Sequence, residues 1–142
     1  FDLLRADVMR EGRDVTILSS GLMVREALEA AAQLSEEGVE AEVINVHTIK
    51  PLDAWTILAS LQKTGCAVAA ENHNVIGGLR SAVLETLADQ LRVPVTAVGV
   101  EDTFGEVGPL SYLKERFGLN AQAVVRQARR AMDLKKNWRC IP

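Results

Sequence analysis

Short runs of β-branched and small apolar residues alternate with amphipathic segments along this chain, and that alternation leaves few architectures open. The clearest run is Asp14-Val15-Thr16-Ile17-Leu18-Ser19-Ser20. It is almost continuously apolar, as a strand covered on both faces must be. Gly21 ends it, and a helix over about Met23–Glu37 follows, with Val24, Leu28, Ala31 and Leu34 spaced as an inward stripe. Gly38 suits that helix's C-terminus. The pattern repeats: strand Val39–His47, helix Ala54–Lys63, strand Cys66–Ala70, a helix from Gly77-Gly78 to about Arg92, and strand Pro94–Val100. Two helices finish the chain, over about Pro109–Phe117 and Ala121–Leu134, with Asn120 a fair N-cap for the second. In the helix Ala54–Lys63, Ile57, Leu58 and Leu61 should face inward, and Asp53 should cap it. One strand breaks the rhythm. Ala6–Arg10 reaches the next strand through Glu11-Gly12 alone, so it is either an antiparallel neighbour or an edge strand placed elsewhere.

At 142 residues the chain amounts to a single α/β domain. Its formal charge of −3 and few aromatics argue against nucleic acid as a partner. The one basic cluster, Arg126, Arg129, Arg130, Lys135, Lys136 and Arg139, reads as a solvated helix face. No apolar run approaches a membrane span, and Cys66 and Cys140 have neither metal-site nor disulfide-framework spacing. We expect a reducing, cytoplasmic setting. The opening residues lack a signal peptide's basic leader and apolar stretch, and the missing initial Met suggests that an upstream portion was removed.

In such a sheet, ligands gather beyond the carboxyl ends of the strands, where the strand order reverses. Those ends are Gly21, His47-Thr48, Glu71-Asn72-His73 and Glu101-Asp102. The Gly77-Gly78 pair admits either an anion at a helix N-terminus or close packing, and it lacks a dinucleotide or P-loop fingerprint. His73 beside Glu71 has the composition of an acid–base pair, but structural or interface roles are favoured for both, and His47 reads as a bond to a neighbouring loop. Cys66 reads as packed rather than reactive, and two histidines without close spacing argue against a metal site. The loop Asp102–Gly108, with Phe104 and two glycines, reads as a structured connection or as a docking element.

Gly21 with its helix, the string Thr48-Ile49-Lys50-Pro51-Leu52-Asp53, Glu71-Asn72-His73 with Gly77-Gly78, and the Asp102–Gly108 loop occur in an order that resembles the C-terminal domain of transketolase. The resemblance covers residues 1–136 as a domain and leaves 137–142 as a tail outside it. It implies a three-layer α/β/α sandwich whose mixed five-stranded sheet has the order 1-3-2-4-5, with strand 1 antiparallel. The reversal then falls between Gly21 and Glu71-Asn72-His73, with the glycine pair beside it. Enzymes of this kind use thiamine diphosphate and magnesium or calcium to move a two-carbon ketol unit between sugar phosphates, as in the pentose phosphate pathway. The cofactor lies between a pyrimidine-binding and a diphosphate-binding domain, and neither has a counterpart here. The resemblance therefore places no catalytic, cofactor-binding or metal residue on this chain, which alone should be inactive. It implies packing against those two domains and a homodimer. Glu71, Asn72, His73, Gly77, Gly78, Phe104 and Glu106 are the interface candidates. Deoxyxylulose-phosphate synthase and the β subunits of 2-oxoacid dehydrogenases carry a similar last domain. Two readings of a different class are a stand-alone nucleotide- or anion-binding regulatory module and a plain oligomerisation domain.

Overall fold

The computed structural model describes residues 2–138. Five strands, β1 (Asp7–Arg10), β2 (Val15–Ser19), β3 (Ala41–Asn45), β4 (Ala67–Asn74) and β5 (Val95–Val100), form one sheet of order β1-β3-β2-β4-β5. β1 runs antiparallel to β3, and the other neighbours are parallel. Helices α1 (Met23–Glu36) and α5 (Ala121–Trp138) cover one face, and α2 (Ala54–Thr64) and α3 (Leu79–Leu87) cover the other. The short α4 (Leu110–Arg116) buries none of its residues. The three layers, the strand order and the antiparallel first strand agree with the expectation.

The tight β1–β2 connection is resolved by skipping a strand. β1 leaves the far side of β3, and the chain crosses over the start of β3 to reach β2. At the crossing, Arg13 and Asp14 donate their N–H groups to the Glu40 carbonyl at 2.9 and 3.0 Å, and Asp14 Oδ2 accepts from Glu40 N at 2.7 Å. Gly12 lies so close that a Cβ there would overlap the backbone of Ala41 and Glu42.

β2 is buried along its whole length, as its composition requires. Its Thr16 hydroxyl is satisfied by Ser60 and Thr64 of α2, each at 2.7 Å. α1 ends in a Schellman motif: Gly38, at φ +80°, bonds back to Ser35 O, and Val39 bonds to Leu34 O. The face that α1 buries is Met23, Glu26, Ala27, Ala30, Ala31 and Leu34, whereas Val24 and Leu28 are only partly buried. The stripe is thus rotated from the expected one. Alanines lie against α5 and the sheet, where small side chains allow close approach. In α2, Ile57 and Leu61 are buried and Leu58 is partly so.

β3 is two residues shorter at each end than the expected Val39–His47, and three boundaries differ more. β4 continues through Asn74 instead of ending at Ala70, with a register shift against β5 between Ala70 and Asn74. The polar tetrad Glu71–Asn74 is therefore strand, paired by backbone bonds that are indifferent to side-chain polarity. α3 stops at Leu87, well before Arg92. Gln90 and Leu91 both bond back to Leu87 O, and the chain turns there to reach Pro94 and β5. α5 runs to Trp138, four residues beyond Leu134, so Asn137 continues the helix; the remainder of the 137–142 tail, with Cys140 and Arg139, lies outside the described residues.

The Thr48–Asp53 string is a clamp. The Lys50–Pro51 peptide is cis. The Thr48 hydroxyl donates to Leu3 O at 2.7 Å, and Asp53 Oδ2 accepts from Ala6 N at 2.9 Å while Oδ1 accepts from Thr56 N at 3.1 Å. Asp53 is thus the expected N-cap and also fixes the chain leading into β1. Burial would push its pKa up, but the bonds from Thr56 and Ala6 and the nearby Arg5 outweigh it, and Asp53 titrates below the ordinary aspartate value. Glu42 behaves alike: burial opposes ionisation, the Lys63 ammonium and Ser60 hydroxyl outweigh it, and the net direction is down.

Two outcomes follow. Gly12→Ala should destabilise the fold by about 3 kcal/mol in urea unfolding, because the overlapped atoms are backbone. Stability contributed by Asp53 and Glu42 should be complete above about pH 5 and decline as pH falls through their lowered folded values. Asp53→Asn should flatten part of that decline in unfolding measured across pH 3–6.

Candidate interaction edge

The carboxyl ends of β2, β4 and β5, with the starts of α1 and α3 and the β5–α4 loop, make the edge to which the sequence pointed. Its organising element is Glu71. This side chain is 2% exposed and leaves β4 toward the N-terminus of α3. Its Oε2 accepts from Leu79 N at 2.7 Å and its Oε1 from Arg80 N at 3.3 Å. A carboxylate at this position satisfies orphan helix donors and complements the helix dipole. Gly78 makes room for it, since a Cβ there would overlap Oε2. Gly77 serves otherwise: its φ of +78° lies in the left-handed region, with open space around it, and its N–H goes to Ser81 Oγ at 2.9 Å. The anion expected at the glycine pair is thus the protein's own. The nucleotide- or anion-binding reading finds its helix N-terminus already filled.

Glu71 and His73 are not an acid–base pair. Both Glu71 oxygens are committed to α3, while His73 is exposed and its Nδ1 lies 3.3 Å from the Asn74 carbonyl. Asn72 is exposed beside Gly21, and Asn74 Oδ1 accepts from Ile76 N at 2.9 Å in the turn before the glycines. His47 is remote from this group. Its Nδ1 lies 3.0 Å from the Thr48 hydroxyl and its Nε2 3.6 Å from Asp7 Oδ2, as a loop-holding histidine should. Cys66 is buried, and burial pushes its thiol up to about 11, so the thiolate is scarce at neutral pH.

The order reverses between β2 and β4, and an apolar cavity of about 200 Å3 lies there. Leu22, Met23, Asn72, Val100, Leu110, Leu113 and Phe117 line it, with Gly105 and Glu106 at its rim. Gly77 and Gly78 do not reach it. They open on the other side, in a hollow shared with Ile49, Lys50 and Leu52, so the expectation that they border the crevice is corrected. The cause is that α3, which the glycines precede, packs on the same face of the sheet as α2.

Behind the cavity a second buried glutamate repeats the device of the first. Glu26 Oε2 accepts from Ala121 N at 3.0 Å at the start of α5, and its other oxygen pairs with Lys114 of α4. Asn120 Oδ1 accepts from Ala123 N at 2.9 Å, confirming that N-cap. In the Asp102–Gly108 loop, Glu106 accepts from the Tyr112 hydroxyl at 2.7 Å and from Arg116 at 2.8 Å, and these bonds hold its pKa low. Phe104 and Val107 in the same loop are fully exposed. Sequence reasoning singled out Phe104 and Glu106 but passed over Val107, Leu22 and Ile76, which are also exposed at this edge. Glu26 left no signal beyond an acid in a first helical turn, and its partners lie 88 and 95 residues away. The basic tail is not wholly solvated, since Lys135 donates to Thr64 O at 2.6 Å and Arg129 pairs with Glu37.

The edge sets hydrogen-bonding groups of Asn72 and His73 beside exposed apolar side chains. The residues present do not fit thiamine diphosphate and its metal. The N–H groups at α3 that would meet a diphosphate are taken by Glu71, and the described residues hold no group of three or more His, Cys, Asp or Glu able to grip a metal. No helix among the described residues is long and apolar enough to cross a membrane.

A mixed five-stranded sheet of this order, with its first strand antiparallel and helices on both faces, defines the class of fold. The model of the family "Transketolase, C-terminal domain" matches residues 4–124, and the chain belongs to that family. It is 53% identical over 139 residues to 6-deoxy-6-sulfo-D-fructose transketolase subunit SqwH of Clostridium sp. (strain MSTE9), covering 98% of this chain and 43% of that protein. It is 42% identical over 120 residues to 1-deoxy-D-xylulose-5-phosphate synthase 1 of Geobacter sulfurreducens, covering 83% and 19%. A solved structure described as split gene transketolase, inactive β4 tetramer, superimposes with a TM-score of 0.88 at 44% identity, covering 95% of this chain and 43% of that one. The chain thus spans less than half the length of these relatives.

The glycine pair gives a test of the edge. Gly78→Ala should cost about 3 kcal/mol, since the Glu71 carboxylate must be displaced. Gly77→Ala should cost about 1 kcal/mol, the strain of a left-handed residue in open space. Equal costs in denaturant unfolding would show that Glu71 does not hold α3.

Proposed function

We propose that this chain is the C-terminal assembly domain of a thiamine diphosphate-dependent transketolase, of the split kind in which two subunits make one enzyme. The complete enzyme transfers a two-carbon ketol unit between ketose and aldose substrates bearing an anionic terminal group, a sugar phosphate or its sulfonate analogue. The relative named for a sulfo-sugar supports extending the class beyond pentose-pathway phosphates. Thiamine diphosphate and magnesium or calcium belong to the pyrimidine-binding and diphosphate-binding domains of that enzyme. This chain supplies no catalytic residue. It packs its carboxyl edge against those domains and helps to hold two copies together, in the cytoplasm. The observation that carries the reading is the edge itself. Apolar side chains and unengaged polar groups stand exposed there, while the helix start nearest them is filled by Glu71. The neighbour described as a split gene transketolase, inactive β4 tetramer, supports it: that chain, of which this one covers 43%, forms a tetramer described as inactive.

His73→Ala separates assembly from chemistry. In the complete two-subunit enzyme it should raise the subunit dissociation constant about tenfold, the loss of one good polar contact at an interface. Turnover of the assembled enzyme at saturating cofactor should stay within about twofold of wild type. An unchanged dissociation constant with a large loss of turnover would place His73 in the chemistry and overturn the assembly reading.

A further inference from the structure

The β5–α4 loop and the cavity beside it are complementary halves of one contact. Phe104 is 96% exposed, although it stands next to a cavity lined by Leu22, Met23, Val100, Leu110, Leu113 and Phe117. A cavity of about 150 Å3 with such a lining accepts a benzene molecule, so one of about 200 Å3 admits a phenyl ring. We infer that Phe104 of one copy fills the cavity of a second copy, and the reverse, across a two-fold axis. This rests on the reading that the chain helps to hold two copies together, and it gives the Phe104 side of the carboxyl edge to that contact and leaves the Glu71–Gly78 side to the other domains.

Two further observations select a second copy as the occupant. The loop that carries Phe104 also forms the cavity rim through Gly105 and Glu106, so plug and socket are adjacent. A two-fold operation on such a patch makes two equal insertions at once. The charges within two residues of the lining Met23 and Val100 are also self-complementary. Glu26 is paired with Lys114, and Glu106 with Arg116, within the chain. Arg25, in the first turn of α1 on one side, and Glu101 and Asp102, at the end of β5 on the other, are exposed, and among the described residues no ion pair engages them. Asp102 lies two residues before Phe104. Inserting Phe104 into the opposite cavity carries that acid toward the other copy's Arg25, two residues beyond the lining Met23. Opposite charges then meet in both halves, which steers the docking and sets its register.

The test uses the full-length protein in its assembled state. The photo-crosslinking residue p-benzoylphenylalanine replaces Phe104, and unlabelled and 15N-labelled copies are mixed, allowed to exchange and irradiated. Crosslinks to the peptides holding Leu22, Leu110 or Phe117, with mixed-isotope pairs present, are the expected result. Single-isotope pairs alone would mean that the ring folds into its own cavity, and crosslinks to a companion subunit instead would mean a different occupant. Either overturns the inference. In parallel, Phe104→Ala and the cavity-filling Leu113→Trp should each weaken association of two copies at least tenfold in sedimentation equilibrium, and the double variant should be little worse than either. Independent, additive effects, or no effect of Phe104→Ala, would also overturn it. Ketol-transfer assays on the wild-type assembly keep the two readings apart. Mixed-isotope crosslinks without transferase activity leave the contact standing and remove the enzyme; activity with no such crosslinks removes the contact alone.

Discussion

A buried carboxylate at the end of the central strand sets the layout of this domain's working edge. Glu71 leaves β4 and terminates on the first free N–H groups of α3, so strand and helix are joined by charge-assisted bonds inside the protein. Such a group is costly to bury unless its oxygens are satisfied. Gly78 allows the approach that satisfies them. The junction lies where β4 shifts register against β5, and Asn72 and His73, the next residues of the strand, are exposed.

The same solution recurs at two other helices. Asp53 caps α2 and also holds the chain entering β1, and Glu26 reaches from α1 to the start of α5. In each case a helix start of the kind that draws phosphates is filled by an acid of the chain itself. A domain of this kind keeps the outline of a nucleotide-binding sheet while giving up the electrostatics of one. What stands exposed at its carboxyl edge is apolar surface, the polar Asn72 and His73, and the charged Arg25, Glu101 and Asp102.

The cavity at the strand-order reversal fits the same view. Parallel sheets leave a crevice there because successive connections depart to opposite sides. Here α4 and the Asp102–Gly108 loop roof the crevice with leucines and Phe117, and only Asn72, Glu106 and Lys114 bring polar atoms near. An apolar socket at this place receives a side chain more readily than a charged metabolite.

The strand count, the Asp53 and Asn120 caps and the Gly38 stop were legible in the sequence, because each depends on periodicity or on a residue's preference within one turn of chain, whereas the three layers and the strand order came from the family resemblance. The Thr48–Asp53 string and the paired glycines marked special backbone positions but not what they touch. The extra length of β4 was hidden because its last four residues are polar, and strand pairing is made by backbone groups. The turned face of α1 was hidden because alanine and leucine carry nearly the same signal while sheet contact prefers the smaller. Local sequence alone decided where the elements form and which glycines end them. Tertiary structure alone decided that Glu71 and Glu26 serve distant helices, that the glycine pair opens toward α2, and that Phe104 stands beside an empty socket. Those outcomes depend on groups brought together from far along the chain, whose separation no local pattern encodes.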